Sequence, residues 1–82
     1  MRAALIIPAL NEEASIEATL DEVPTEMYEQ ILVVDNGSSD RTFQVALSRG
    51  VTVLSEPRRG YSNACLCGLA ALSKDIDVVV FM

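Results

Sequence analysis

The chain has no tryptophan, and its aromatic side chains are limited to Tyr28, Phe43, Tyr61 and Phe81, which leaves little for aromatic stacking. It has no histidine, and six Lys and Arg stand against twelve Asp and Glu, for a net charge of −6. That balance argues against nucleic acid as a partner, because phosphate backbones attract basic surfaces. No apolar run approaches the ~18 residues that a membrane span requires. Met1–Leu10 is apolar behind Arg2, but Pro8 interrupts it, Asn11-Glu12-Glu13 follows at once, and no small-residue cleavage site is evident. A buried strand is therefore expected there instead of a signal peptide, and a cytoplasmic location is the default. The two cysteines, Cys65 and Cys67, are helical neighbours that point in nearly opposite directions. They are expected to pack as small residues in a reducing compartment, without bonding to each other or sharing a metal. Glycine is missing from the turn after the first apolar run, Pro8–Glu13, so the Gly-x-Gly-x-x-Gly approach to a dinucleotide is not available. The Gly-x-x-x-x-Gly-Lys phosphate loop is also absent.

What is present is one small globular unit. At 82 residues the chain makes a single domain, and a chain of this size buries only about 60% of its unfolded surface. Half of the residues are apolar and 22% are charged, a globular composition. Short β-branched runs alternate with amphipathic stretches. Ala3–Ile7 reads as a central strand that Pro8 closes. Asn11 is placed to cap a helix whose Ile16, Leu20 and Val23 form one stripe, stopped by Pro24. Seven of the twelve acidic residues lie between Glu12 and Glu29, so a solvated face is expected there. Ile31–Val34 forms a second strand with Asp35 at its end. Asp40 precedes a short helix with Phe43, Ala46 and Leu47 on one face and Gly50 as terminator. Val51–Leu54 is a third strand, Tyr61–Ser73 a helix, and Val78–Met82 a fourth strand, apolar enough for burial on both faces. Strands alternating with helical connections specify an α/β fold, an open parallel sheet of about four strands with helices on both faces.

In such sheets ligands bind outside the C-terminal strand ends. Three segments converge on that edge: Pro8–Glu13, Asp35–Asp40 and Ser55–Gly60. Carboxylates there can accept from ribose hydroxyls or a base N–H, and arginines beside a helix start favour phosphate. Arg58 and Arg59, next to Gly60, are the phosphate candidates, although two adjacent loop arginines are also ordinary surface residues. Asn11 reads equally as a helix cap or a ligand contact, Asp40 as a cap, and Glu13 as a complement to the helix dipole. Asp35 stands apart as a carboxylate directly after a buried strand and facing a Gly-Ser turn, a placement that points to function.

These segments resemble the N-terminal part of family 2 glycosyltransferases. The resemblance lies in Ile6-Ile7-Pro8-Ala9-Leu10-Asn11-Glu12-Glu13, in Val33-Val34-Asp35-Asn36-Gly37-Ser38-Ser39-Asp40-Arg41-Thr42, and in Glu56-Pro57-Arg58-Arg59-Gly60-Tyr61 ahead of an Ala-rich helix. It covers essentially the whole chain. The Pro-Arg-Arg-Gly-Tyr run is most similar to the branch of dolichyl-phosphate mannose synthases and related polyprenyl-phosphate sugar transferases. The resemblance implies the N-terminal half of a GT-A, Rossmann-like fold that binds a UDP- or GDP-sugar. Pro8, Ala9 and Glu12 would line the nucleotide, with Glu12 near the ribose, and Asp35 would contact base or ribose. Gly37 and Ser38 would shape the turn beneath, and Arg59 with Arg58 would lie near the phosphates. It also implies an inverting displacement assisted by a divalent metal, Mg or Mn, held by an Asp-x-Asp motif. That motif would follow the fourth strand, and no Asp-x-Asp follows that strand within these 82 residues. The chain is therefore expected to be truncated at its C-terminus, and to bind a donor without itself reacting.

Other expectations compete with this one. The apolar Val78–Met82 strand could leave an edge open to self-association, which would make the chain an assembly module without a ligand. An inactive truncated product would account for the length alone. The acceptor stays open between a lipid phosphate and a saccharide, as does peripheral membrane association of a full-length relative.

Overall fold

The computed structural model describes all of residues 1–82. Its core is a parallel sheet of β1 (Ala3–Ala9), β2 (Gln30–Asp35), β3 (Thr52–Ser55) and β4 (Val78–Phe81), in the order β3-β2-β1-β4. Three helices connect the strands: α1 (Ile16–Asp21), α2 (Thr42–Ser48) and α3 (Tyr61–Ala70), with a short 3-10 turn at Thr25–Met27.

The strand register divides the side chains between two faces, since successive residues point to opposite sides of a sheet. Leu5, Ile7, Ala9 and Val33 face one way and bury Ile16 and Leu20 of α1, Val23, and Ala46 of α2. Ile6 and Val34 face the other way and pack on Ala64 of α3, with Leu54, Cys67, Leu72 and Val79 around them. Helices thus cover both faces. Gly68 lets α3 settle directly on β1, because a Cβ there would lie 2.7 Å from Cγ2 and 2.9 Å from Cδ1 of Ile6.

Two boundaries and two burial patterns differ from the sequence expectation. β1 does not stop at Pro8 but runs through it to Ala9, with Pro8 opposite Val34. The strand tolerates the proline because its missing N–H faces the β4 side, past Ile6, the last residue paired with β4. Asn11 is not the helix cap. It has φ 51, and the cap position of α1 falls to Ser15 after a turn in which Glu12 O accepts the N–H groups of Ser15 and Ile16. On α2 the buried residues are Thr42 and Ala46, while Leu47 is half exposed. β4 is an edge strand, so Val78, Val80 and Phe81 stay 37–41% exposed despite their apolar character.

Candidate functional site

The C-terminal ends of β1, β2 and β3 lie side by side because the strands are parallel and in register, with Ala9 opposite Asp35 and Asp35 opposite Ser55. The loops that leave these ends are tied to one another by side chains. Ser38 Oγ accepts the backbone N–H of Asn11 at 2.9 Å and donates to the carboxylate of Asp35. Asn11 Oδ1 accepts the N–H of Ser39 at 2.8 Å, which holds Asn11 in its left-handed conformation. Thr42 Oγ1, fully buried, accepts the N–H of Glu12 at 2.7 Å and donates to Asp40. Asp40 also accepts the N–H of Thr42 at 2.9 Å, which satisfies a free donor at the start of α2 from just outside the cap position. The Thr42 hydroxyl, foremost, holds the Asp40 carboxyl below its ordinary range.

The third loop is fastened by two residues that the sequence did not single out, Asn36 and Glu56, both buried. Asn36 Nδ2 donates to the carbonyls of Glu56 and Arg58, at 3.0 and 2.8 Å, and Asn36 Oδ1 accepts the N–H of Gly60 at 3.0 Å. Glu56 Oε2 accepts the backbone N–H and Nε–H of Arg58, and Oε1 accepts its Nη2. The Arg58 guanidinium is the main reason the Glu56 carboxyl sits below its usual range, and Glu56 in turn raises Arg58. The spacing Glu56-Pro57-Arg58 was the available signal for this pair. Asn36 carried none beyond its place after Asp35.

Between the loops lies an open cleft of about 360 Å³, lined by Pro8, Ala9, Leu10, Glu12, Asn36, Arg59, Gly60 and Tyr61. Of the residues singled out from the sequence, the structure brings Pro8, Ala9, Glu12 and Arg59 together here. Arg59 donates to Gly37 O at 3.3 Å, and its Nε would lie 3.2 Å from a Cβ placed on Gly37. Gly37 and Ser38 form the turn beside the cleft without lining it. Asp35 is 5% exposed, and its Oδ1 is engaged by Ser38. Arg58 pairs with Glu56 and does not line the cleft. The combination of a guanidinium, a carboxylate and strand-end backbone on an apolar floor suits a ligand with an anionic group, hydroxyls and a flat apolar part.

No three of the chain's Asp, Glu and Cys side chains come together as a metal-ligand group. No helix is long and apolar enough to cross a membrane. A second cleft, of about 380 Å³, opens at the opposite end of the strands between Tyr28–Leu32 and Arg49–Thr52. Its Arg49 is already paired with Glu17 and Asp21.

The family described as glycosyl transferase family 2 matches residues 4–82. An uncharacterized glycosyltransferase of Mycobacterium tuberculosis is 41% identical over 76 residues, which cover 93% of this chain and 34% of that protein. Glucosyl-3-phosphoglycerate synthase of M. tuberculosis is 34% identical over 88 residues, covering 94% of this chain and 27% of the synthase. A crystal structure of that synthase with Mn2+, UDP-glucose and phosphoglyceric acid aligns at a TM-score of 0.86 and 35% identity, over 99% of this chain and 32% of that one. The synthase has also been crystallised with Mg2+ and UDP, and there the TM-score is 0.85. The chain spans about a third of the length of these relatives.

Proposed function

The chain belongs to glycosyl transferase family 2, and from that premise we propose that residues 1–82 are the nucleotide-sugar-binding part of a larger transferase domain of GT-A fold. The observation that carries this reading is the cleft at the strand ends, where Arg59 and Glu12 face a common space beside Pro8–Leu10. Arg59 would hold the diphosphate, Glu12 the ribose hydroxyls, and Asp35 the base or ribose, with Gly37 and Ser38 shaping the turn that carries Asp35. Arg58 would serve the phosphates only indirectly, since its guanidinium is committed to Glu56. UDP is the first donor nucleotide to test, because a structural relative holds UDP-glucose, with GDP as the other arm.

The complete enzyme would transfer the sugar with inversion and use a divalent ion, as the Mn2+ and Mg2+ in the relative suggest. In this reading the 82 residues bind the donor and other residues complete the reaction. A polyprenyl phosphate acceptor rests on the Pro57–Tyr61 run alone, whereas the relative crystallised with phosphoglyceric acid favours a small acidic acceptor. A cytoplasmic enzyme with peripheral membrane association would suit the former. Calorimetry on the folded chain tests the donor reading. Saturable UDP or GDP binding that Asp35→Ala weakens supports it, and no heat at millimolar nucleotide refutes it.

A second reading, self-association, is favoured by the exposed Val78, Val80 and Phe81 along the β4 edge. Light scattering checks it: a concentration-dependent rise in mass supports the edge as an interface, and a constant monomer mass rejects it.

A further inference from the structure

We infer that Asn36 is a positioning residue for the donor diphosphate, its buried carboxamide fixing the loop so that Arg59 faces the cleft before any ligand arrives. The inference rests on the nucleotide reading above and names how that site is held. Asn36 is 5% exposed, and its own N–H is fixed to Ala9 O at 2.9 Å, which anchors it to β1 as well as to β2. Both N–H groups of its side chain are used, on Glu56 O and Arg58 O, and its oxygen takes the Gly60 N–H. Arg59 lies between the last two of these anchors, so its backbone is held on either side.

Only a carboxamide meets this demand at that length, because it carries two donors and an acceptor on one planar group. An aspartate would set an oxygen against two carbonyls. The Glu56 carboxylate completes the device by pairing with Arg58, which does not line the cleft. One arginine of the adjacent pair is thereby engaged by a carboxylate and the other is left at the cleft. Pre-ordering of this kind raises affinity by removing the ordering cost from the binding step. A Gly60 N–H already satisfied by Asn36 is also unavailable to the phosphate, which leaves the Arg59 side chain as the principal charge.

The test compares UDP with uridine on the 82-residue chain, or GDP with guanosine if GDP is the nucleotide that binds. Asn36→Asp and Asn36→Ser should weaken nucleotide binding about tenfold and leave nucleoside binding within about twofold, as Arg59→Met does. Asn36→Ser combined with Arg59→Met should bind no more weakly than Arg59→Met alone, since the two act through one contact. Equal loss of nucleotide and nucleoside, or additive effects in the double variant, would overturn the inference while leaving the nucleotide reading intact. Absence of any binding by the unaltered chain would overturn both. Should the Asn36 variants fail to fold, hydrogen exchange on the unaltered chain decides. A Gly60 amide protected equally with and without UDP supports a pre-set loop, and one that becomes protected only with UDP refutes it.

Discussion

Glu56 and Arg58 close on each other through three hydrogen bonds, with Arg58 N and Nε at 2.9 and 3.2 Å from Glu56 Oε2 and Nη2 at 3.0 Å from Oε1. The pair separates two arginines that look equivalent in the sequence. Arg58 stabilises the loop, and Arg59 lines the cleft.

Arg59→Met should lower UDP or GDP affinity about tenfold, the order expected for a charge-assisted contact to phosphate, with little change in melting temperature. Arg58→Met should do the reverse, lowering the melting temperature because it strands the buried Glu56 carboxylate. Titration calorimetry and thermal melts on the two variants separate the roles.

Acid should reveal the same pair. The Arg58 guanidinium foremost, then the Arg58 backbone N–H, depress the Glu56 carboxyl below 4.5, its ordinary value. A depressed folded-state pKa means that unfolding takes up a proton, so stability from this group is whole above about pH 4.5 and is lost as the pH falls through the lowered value. Asp40, held below 3.8 mainly by the Thr42 hydroxyl, adds a further loss at lower pH. Melting temperatures between pH 7 and pH 3 should fall less steeply in Glu56→Gln, which starts lower but has no such proton to take up. An unchanged slope would remove Glu56 from the account.

Packing at the α3–β1 contact gives a third test. Gly68→Ala would place a methyl group 2.7 Å from Ile6 Cγ2. Overpacking of this kind costs about 1–3 kcal/mol, against a helix-propensity gain of at most ~1 kcal/mol. Chemical denaturation should show net destabilisation, partly relieved by Ile6→Val, which removes the Cδ1 contact at 2.9 Å.

Gly37 links fold and site. Its φ of +88 suits glycine, and a side chain in the left-handed region costs roughly 1–2 kcal/mol. An added Cβ would also press on Arg59 Nε. Gly37→Ala should therefore lower both stability and nucleotide affinity, whereas Gly50→Ala, also at positive φ but with nothing within 4 Å of the added carbon, should lower stability alone. Melts and calorimetry on the two variants check the contrast.

Much of the fold is legible in the sequence because β-branched runs such as Ile31–Val34 and Val51–Leu54 admit few other readings. The positions of Pro8, Ala9, Glu12 and Arg59 on one sheet edge follow from parallel topology. Boundaries were less legible where tertiary partners decide them. Pro8 stays in β1 because it lies past the β4 pairing, and Asn11 gives up the helix cap to bond with Ser39, 28 residues away. The Asn36 clamp reaches 20 to 24 residues along the chain to backbone atoms, and contacts with backbone leave no mark on the partner's residue type. Arg58 and Arg59 could not be ranked until the buried Glu56 carboxylate was placed.

The central claim, that the strand-end cleft holds the nucleotide of the donor, is tested most directly by titrating UDP and GDP into the isotopically labelled chain and following every backbone amide by NMR. Saturable shifts should concentrate at Ala9–Glu12, Asn36 and Arg59–Tyr61 and should need about tenfold more nucleotide to saturate in Arg59→Met. No shifts at millimolar nucleotide, or shifts centred on Tyr28–Leu32 and Arg49–Thr52 at the opposite end of the sheet, would contradict it.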